Sequence, residues 1–163
     1  MTDTRWLTAD ELRAWKRLIA VVELLPGTLE SQLQRDSGLS HFEYFTLAML
    51  SEAPDRTLRM TALATHTNAT LARLSHVVSR LEKRGLVRRE VCAQDRRATN
   101  AVLTAAGWTA VVAAAPGHVR TVRETVIDPL TAADVADLDR IMGRILDVLD
   151  PTHVMVDAPG TDD

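Results

Sequence analysis

The chain has 163 residues, 46% of them hydrophobic and 25% charged, with a formal net charge of -3. That length supports one domain with a core of its own, and that composition excludes a disordered chain. No apolar run approaches the roughly 18 residues of a membrane span, the start "MTDTRWLTADE" lacks both parts of an export signal, and the single cysteine, Cys92, excludes an internal disulfide, so a cytoplasmic protein is expected.

The elements read in order as helices with recognisable starts. Thr8 with Glu11, Ser40 with Glu43 and Thr131 with Asp134 each set an acid three residues after a hydroxyl, which satisfies the orphan amides of a helix start. From Thr8 onward Leu12, Trp15, Ile19, Val22, Leu29 and Leu33 keep one helical phase across Pro26 and Gly27. This predicts one long helix kinked there, or two helices meeting at an angle. A second helix from Ser40 carries Phe42, Phe45 and Met49 inward and stops before Pro54. A short helix over residues 61–67, a turn at Asn68, Ala69 and Thr70, and a longer helix closed by Gly85 come next. "LVRREV" and "ATNAVL" are rich in β-branched residues and flank the polar "CAQDRR", predicting two antiparallel strands joined by a tip. Thr104 caps a further helix that meets Pro116 and Gly117 and ends before Pro129. The last helix sets Val135, Leu138, Met142, Ile145 and Leu149 on one stripe, and residues 151–163 read as a frayed tail.

The whole chain, 1–163, thus reads as a single domain, mainly α with a small β-hairpin wing. A winged helix-turn-helix over residues 40–103 lies between outer helices over residues 8–36 and 104–150, which can pack together into one apolar layer.

Charge is uneven along this order. Residues 84–104 hold five arginines against Glu90 and Asp95, and residues 56–97 carry ten Lys or Arg against three acids, so that segment is +7 and the remainder -10. A basic centre between acidic flanks points to a polyanion on one surface. At about 100° per residue, Leu71, Leu74, Val78 and Leu81 share the inner side of the helix before Gly85, and Arg73, His76, Arg80 and Arg84 lie nearly opposite. Helix and turn are the parts of a helix-turn-helix, whose cations and donors suit the major groove. The candidate DNA contacts are Thr70, Arg73, Ser75, His76, Arg80 and Lys83 on and beside this helix, Arg88 on the first strand, and Asp95, Arg96 and Arg97 at the tip. Arg96 and Arg97 can enter a minor groove, with Asp95 expected to hold an arginine side chain in a fixed orientation.

The helix "TLARLSHVVSRLEKRGLVRR" and the wing "DRRATNAVLTAAG" together resemble the bacterial winged-helix regulators of the multiple antibiotic resistance regulator (MarR) family. The resemblance spans roughly residues 8 to 150 and is most specific at Asp95, Arg97, Leu103, Thr104 and Gly107. It implies a homodimer joined through the N- and C-terminal helices, bound to double-stranded DNA at a near-palindromic operator. Asp95 and Arg97 would be the wing pair, with Arg73, Ser75 and His76 where the family reads bases. It also implies a repressor relieved by a small aromatic or phenolic compound, for which Trp15, His41, Tyr44 and Phe45 are the candidate lining.

Other chemistries find less support. Aromatics at helical spacing are also ordinary core. Cys92, in a strand, reads as packing, and the five histidines show no close pair at metal-ligand spacing. No Gly-rich phosphate loop, metal cluster or nucleophile with a partner marks an enzyme, and no cofactor is expected. The competing reading is a winged helix that binds an acidic protein partner instead of DNA.

Overall fold

A computed structural model describes residues 4–92, 95–157 and 159. Helix α1 (Ala9–Ser37) runs unbroken through Pro26 and stops at Gly38, where φ of +63° suits glycine. Of the two readings of the Pro26 region, a single helix is therefore the one observed. The proline removes only its own amide from the ladder, on a stretch of helix whose neighbours are exposed.

Helix α2 (His41–Glu52) has a broader inner face than expected. Tyr44, Thr46, Leu47 and Leu50 are buried, Phe42 and Met49 are half-buried and pack against the same core, and Phe45 is half-buried. The stripe at 43, 44, 47 and 50 follows the helical repeat as well as the aromatic one does, and only the packing partners decide between them.

A 3-10 turn over Pro54–Arg56 leads into strand β1 (Thr57–Arg59), which the sequence pattern does not announce. Helix α3 (Met60–His66), a turn with Asn68 at φ +47°, and helix α4 (Leu71–Lys83) form the helix-turn-helix. Helix α4 closes with the paired bonds of a Schellman end: the Gly85 amide donates to the Glu82 carbonyl at 2.9 Å and the Leu86 amide to the Leu81 carbonyl at 3.0 Å. Strands β2 (Val87–Val91) and β3 (Thr99–Leu103) pair antiparallel with Arg89 opposite Ala101, and β1 joins the other edge of β3 with Leu58 opposite Ala101. The sheet order is β1-β3-β2.

Helix α5 (Ala105–Val122), capped by Thr104, packs along α1 and ends in a π turn over Arg123–Ile127. Helix α6 (Ala132–Leu149) follows. The three hydroxyl-acid pairs all form reciprocal capping boxes. The core gathers Leu33, Leu39, Leu47, Leu50, Leu63, Leu74, Val78, Leu81 and Val87, all within the helix-turn-helix and the elements that back it. By contrast α6 buries no side chain, and Trp15, Val22, Leu24 and Val119 on α1 and α5 are also exposed.

Residues 158 and 160–163 of the expected frayed tail lie outside the described residues. Its described part is held: the Met155 amide donates to Asp150 at 2.8 Å, and His66 Nδ1 on α3 lies 2.8 Å from the Val154 carbonyl. Among the described residues no helix is long and apolar enough to cross a membrane.

Candidate nucleic-acid interface

Local sequence sets the inner and outer faces of α4. Leu74, Val77, Val78 and Leu81 are buried, so Val77 belongs to the inner face, while Leu71 is 49% exposed and does not. Thr70 is committed to its own helix, accepting from the Arg73 amide at 3.2 Å.

The arginines of α4 do not project opposite this core as expected. The Arg73 guanidinium stacks 4.3 Å above the Phe42 ring. Arg80 Nε lies 3.3 Å and Arg84 Nη1 3.6 Å from the buried Glu43 carboxylate, and Arg84 also donates to the Gly38 carbonyl at 3.2 Å. All three lie a quarter turn round the helix, over the first turn of α2. The ridge left facing outward is Ala72, His76 and Lys83, with Ser75 and Ser79 half-buried on the wing side. A ring donor and a cation at the front of a helix can reach base edges and phosphates.

The opposite flank of α4 is tied to the wing. In a strand successive side chains alternate, so Arg89 shares a face with Val87, pointing at α4. Its guanidinium donates to the Ser75 carbonyl at 2.9 Å and to the Ser79 hydroxyl, and its amide donates to Glu82 at 3.1 Å. Arg89 is therefore a bracket between wing and helix, a role its place in the alternation foretells. Arg88, on the outer face, pairs with Glu90 at 2.8 Å.

At the tip Arg96 and Arg97 are exposed. The Asp95 carboxylate accepts from the Arg97 backbone amide at 3.0 Å, and the Ala98 amide closes the turn onto the Asp95 carbonyl at 2.9 Å. Among the described residues no arginine side chain pairs with Asp95. The expectation that it orients a guanidinium is corrected: it shapes the loop from which Arg97 projects. A cleft of about 270 Å³ between wing and α4 has Arg59, Arg89 and Arg97 in its lining, together with Ser75 and Thr99. Cys92 is buried, with Arg59 Nη2 3.8 Å from its sulfur.

The four candidate ligand-site residues divide. Tyr44 packs 4.7 Å, and His41 6.5 Å, from the His118 ring of α5 (centroid distances). The sequence does not single out His118 with this group because it lies 77 positions after His41 in the chain. Phe45 is half-buried on the same helix. Trp15 does not join them within the chain. Glu30, which accepts the His41 amide at 2.6 Å, is 15 residues further along α1, about 22 Å at 1.5 Å per residue.

Burial holds the imidazole of His41 below its ordinary value, against the pull of the Glu30 carboxylate, and it holds His118 low as well, helped by repulsion from His41. Burial also pushes the Tyr44 phenol up. Both histidines take up protons less readily folded than unfolded. Their contribution to stability is thus fully present above about pH 6.5 and is lost as pH falls through the lowered values. Denaturant midpoints should drop between about pH 8 and pH 5, and the drop should shrink in His118→Gln. An unchanged slope in that variant would remove His118 as the titrating group.

Three comparisons bear on this arrangement. A MarR family model matches residues 37–98, from the end of α1 through the wing tip. A MarR family transcriptional regulator from Streptomyces coelicolor, solved in complex with DNA, is 44% identical, covers 98% of each chain and superposes with a TM-score of 0.87. AbsC, a MarR family transcriptional regulator from the same organism, is 42% identical over 91% of this chain and 100% of its own, with a TM-score of 0.85. CouR from Rhodococcus jostii RHA1, solved with p-coumaroyl-CoA, shares the fold at 20% identity, covering 83% and 91% of the two chains with a TM-score of 0.71. No curated protein matches the chain. A three-stranded sheet beside a helix-turn-helix, together with this identity along nearly the whole length, places the chain in the MarR family of transcriptional regulators.

Proposed function

We propose that the protein is a homodimeric regulator that binds a near-palindromic operator through two copies of α4 and the wing, represses from it, and is released by a small aromatic or phenolic ligand. The observation that carries this reading is the pairing of the outward ridge of Ala72, His76 and Lys83 on α4 with an arginine-lined cleft and an exposed Arg96-Arg97 tip. The DNA complex of the 44% identical relative supports the choice of duplex DNA over an acidic protein. Thr70, Arg73, Ser75, His76, Arg80, Lys83, Arg88, Asp95, Arg96 and Arg97 remain the proposed interface, with Thr70 and Asp95 acting on backbone shape. The exposed apolar side chains of α1, α5 and α6 supply the dimer surface, which makes 8–36 and 104–150 the dimerisation helices around the reading head at 40–103.

The ligand reading rests on the His41, Tyr44 and His118 cluster, with Phe45 beside it and Trp15 entering only from the second subunit. The first turn of α2 has two sides: His41 and Tyr44 meet His118, and Phe42 and Glu43 hold the arginines of α4. Movement of that turn on ligand binding would reach the DNA-facing helix directly.

Duplexes recovered from genomic DNA by the purified protein test the central claim. Binding that weakens steeply with salt and prefers the recovered duplex over random DNA supports it, and salt-insensitive binding to DNA without preference would sink it. In Arg97→Ala, operator affinity is expected to fall at least about tenfold with folding intact, and the salt slope to become shallower by about 0.9 per lost phosphate contact. Asp95→Ala should also weaken binding although it removes a negative charge, since the tip loses its turn. Tighter binding by Asp95→Ala would show that the carboxylate merely opposes DNA.

A further inference from the structure

The Glu43 carboxylate does more than cap α2. It accepts the Ser40 amide at 2.9 Å, completing the capping box, and it also lies 3.3 Å from Arg80 Nε and 3.6 Å from Arg84 Nη1. The side chain is 9% exposed and that of Arg80 61% exposed. Arg84 is drawn inward by a second bond to the carbonyl of Gly38, where α1 ends. The closest approach of Arg80 to the carboxylate is through Nε, the nitrogen nearest its stem, and most of its side chain is exposed at the surface of α4.

We propose that Glu43 is a positioning residue for DNA binding: it fixes Arg80 from the side and presents the terminal nitrogens of its guanidinium to a phosphate of the operator. The inference rests on the DNA-binding reading above and deepens it. A flexible surface arginine loses rotamer freedom on meeting a phosphate, and one already held loses less. A carboxylate beside a polyanion opposes binding through its charge, but this one is buried, shared between two guanidinium groups and screened by them from the duplex. The balance therefore favours binding, and it acts twice in a dimer.

Glu43→Gln separates the two duties of the side chain, because glutamine also serves in a capping box and lacks the charge that holds the arginines. The probe is the genomic duplex recovered with wild-type protein, measured with wild type, Glu43→Gln, Arg80→Ala and the double variant. Glu43→Gln is expected to weaken binding about tenfold, twice the loss of one pre-set arginine, and to leave thermal stability close to that of wild type. In the Arg80→Ala background the same substitution should change affinity less than about twofold, since the residue through which it acts is gone. Equal or tighter binding by Glu43→Gln, with wild-type binding intact, overturns this inference and leaves the DNA-binding reading standing. An undiminished effect of Glu43→Gln in the double variant also overturns it, by showing that the carboxylate acts on the fold. Absence of duplex preference in the wild type overturns both.

Discussion

Gly107→Ala is expected to cost at least about 3 kcal/mol of stability and to lower the melting temperature by about 6 °C or more. A β-carbon at Gly107 would stand 2.1 Å from the Leu86 carbonyl oxygen and 2.6 Å from a methyl of Leu103. The Leu103 side chain can turn aside, but the Leu86 carbonyl cannot. It follows the Schellman end of α4, and it accepts from the Thr104 amide and hydroxyl, each at 3.1 Å. Thr104 in turn accepts the Gly107 amide at 3.0 Å. The start of α5, the close of α4 and the base of the wing meet at this one point, so the added methyl must push α5 away from β2. Thermal unfolding followed by circular dichroism checks it, and a shift under about 2 °C would mean that the contact yields cheaply.

A second large effect is expected where α6 has nothing to bury against. Leu138 and Met142 lie on its half-buried stripe, and no side chain of the helix is buried within the chain. Glutamates at both positions would put unpaired charge into the proposed subunit interface, which is costly to desolvate, while leaving the core around Leu47, Leu63 and Leu74 untouched. Leu138→Glu with Met142→Glu should scatter light as a monomer and keep its helical spectrum. Operator affinity should fall at least about a hundredfold, the usual scale on which two linked sites exceed one. A variant that remains dimeric would move the interface elsewhere, and a monomer binding as tightly as wild type would end the two-half-site reading.

The features legible in the sequence are those set by neighbours in the chain. Three hydroxyl-acid pairs, the closing glycine of α4 and the alternation of the wing strands each depend on residues a few positions apart. Strand β1 was not legible because three residues carry no period, and it is a strand only by pairing with β3, more than 40 positions later. The inner face of α2 is only partly legible for a related reason: Phe42 and Met49 border the core, but Tyr44, Leu47 and Leu50 are its buried members. In α4 the periodicity finds the buried side, yet it cannot say which flank a neighbour covers. Phe42 and Glu43 engage the one bearing Arg73, Arg80 and Arg84, leaving Ala72, His76 and Lys83 outermost. His118 belongs with His41 and Tyr44 through the packing of α5 on α2, a proximity that spacing along the chain cannot express.

The contact between His66 and the Val154 carbonyl has a mechanical consequence. An arm hinged only at its root can pitch, yaw and roll. Helix α6 leaves the body at the turn beyond α5, and the segment following it is tied back to α3 by this contact, so α6 is held to the body at both ends.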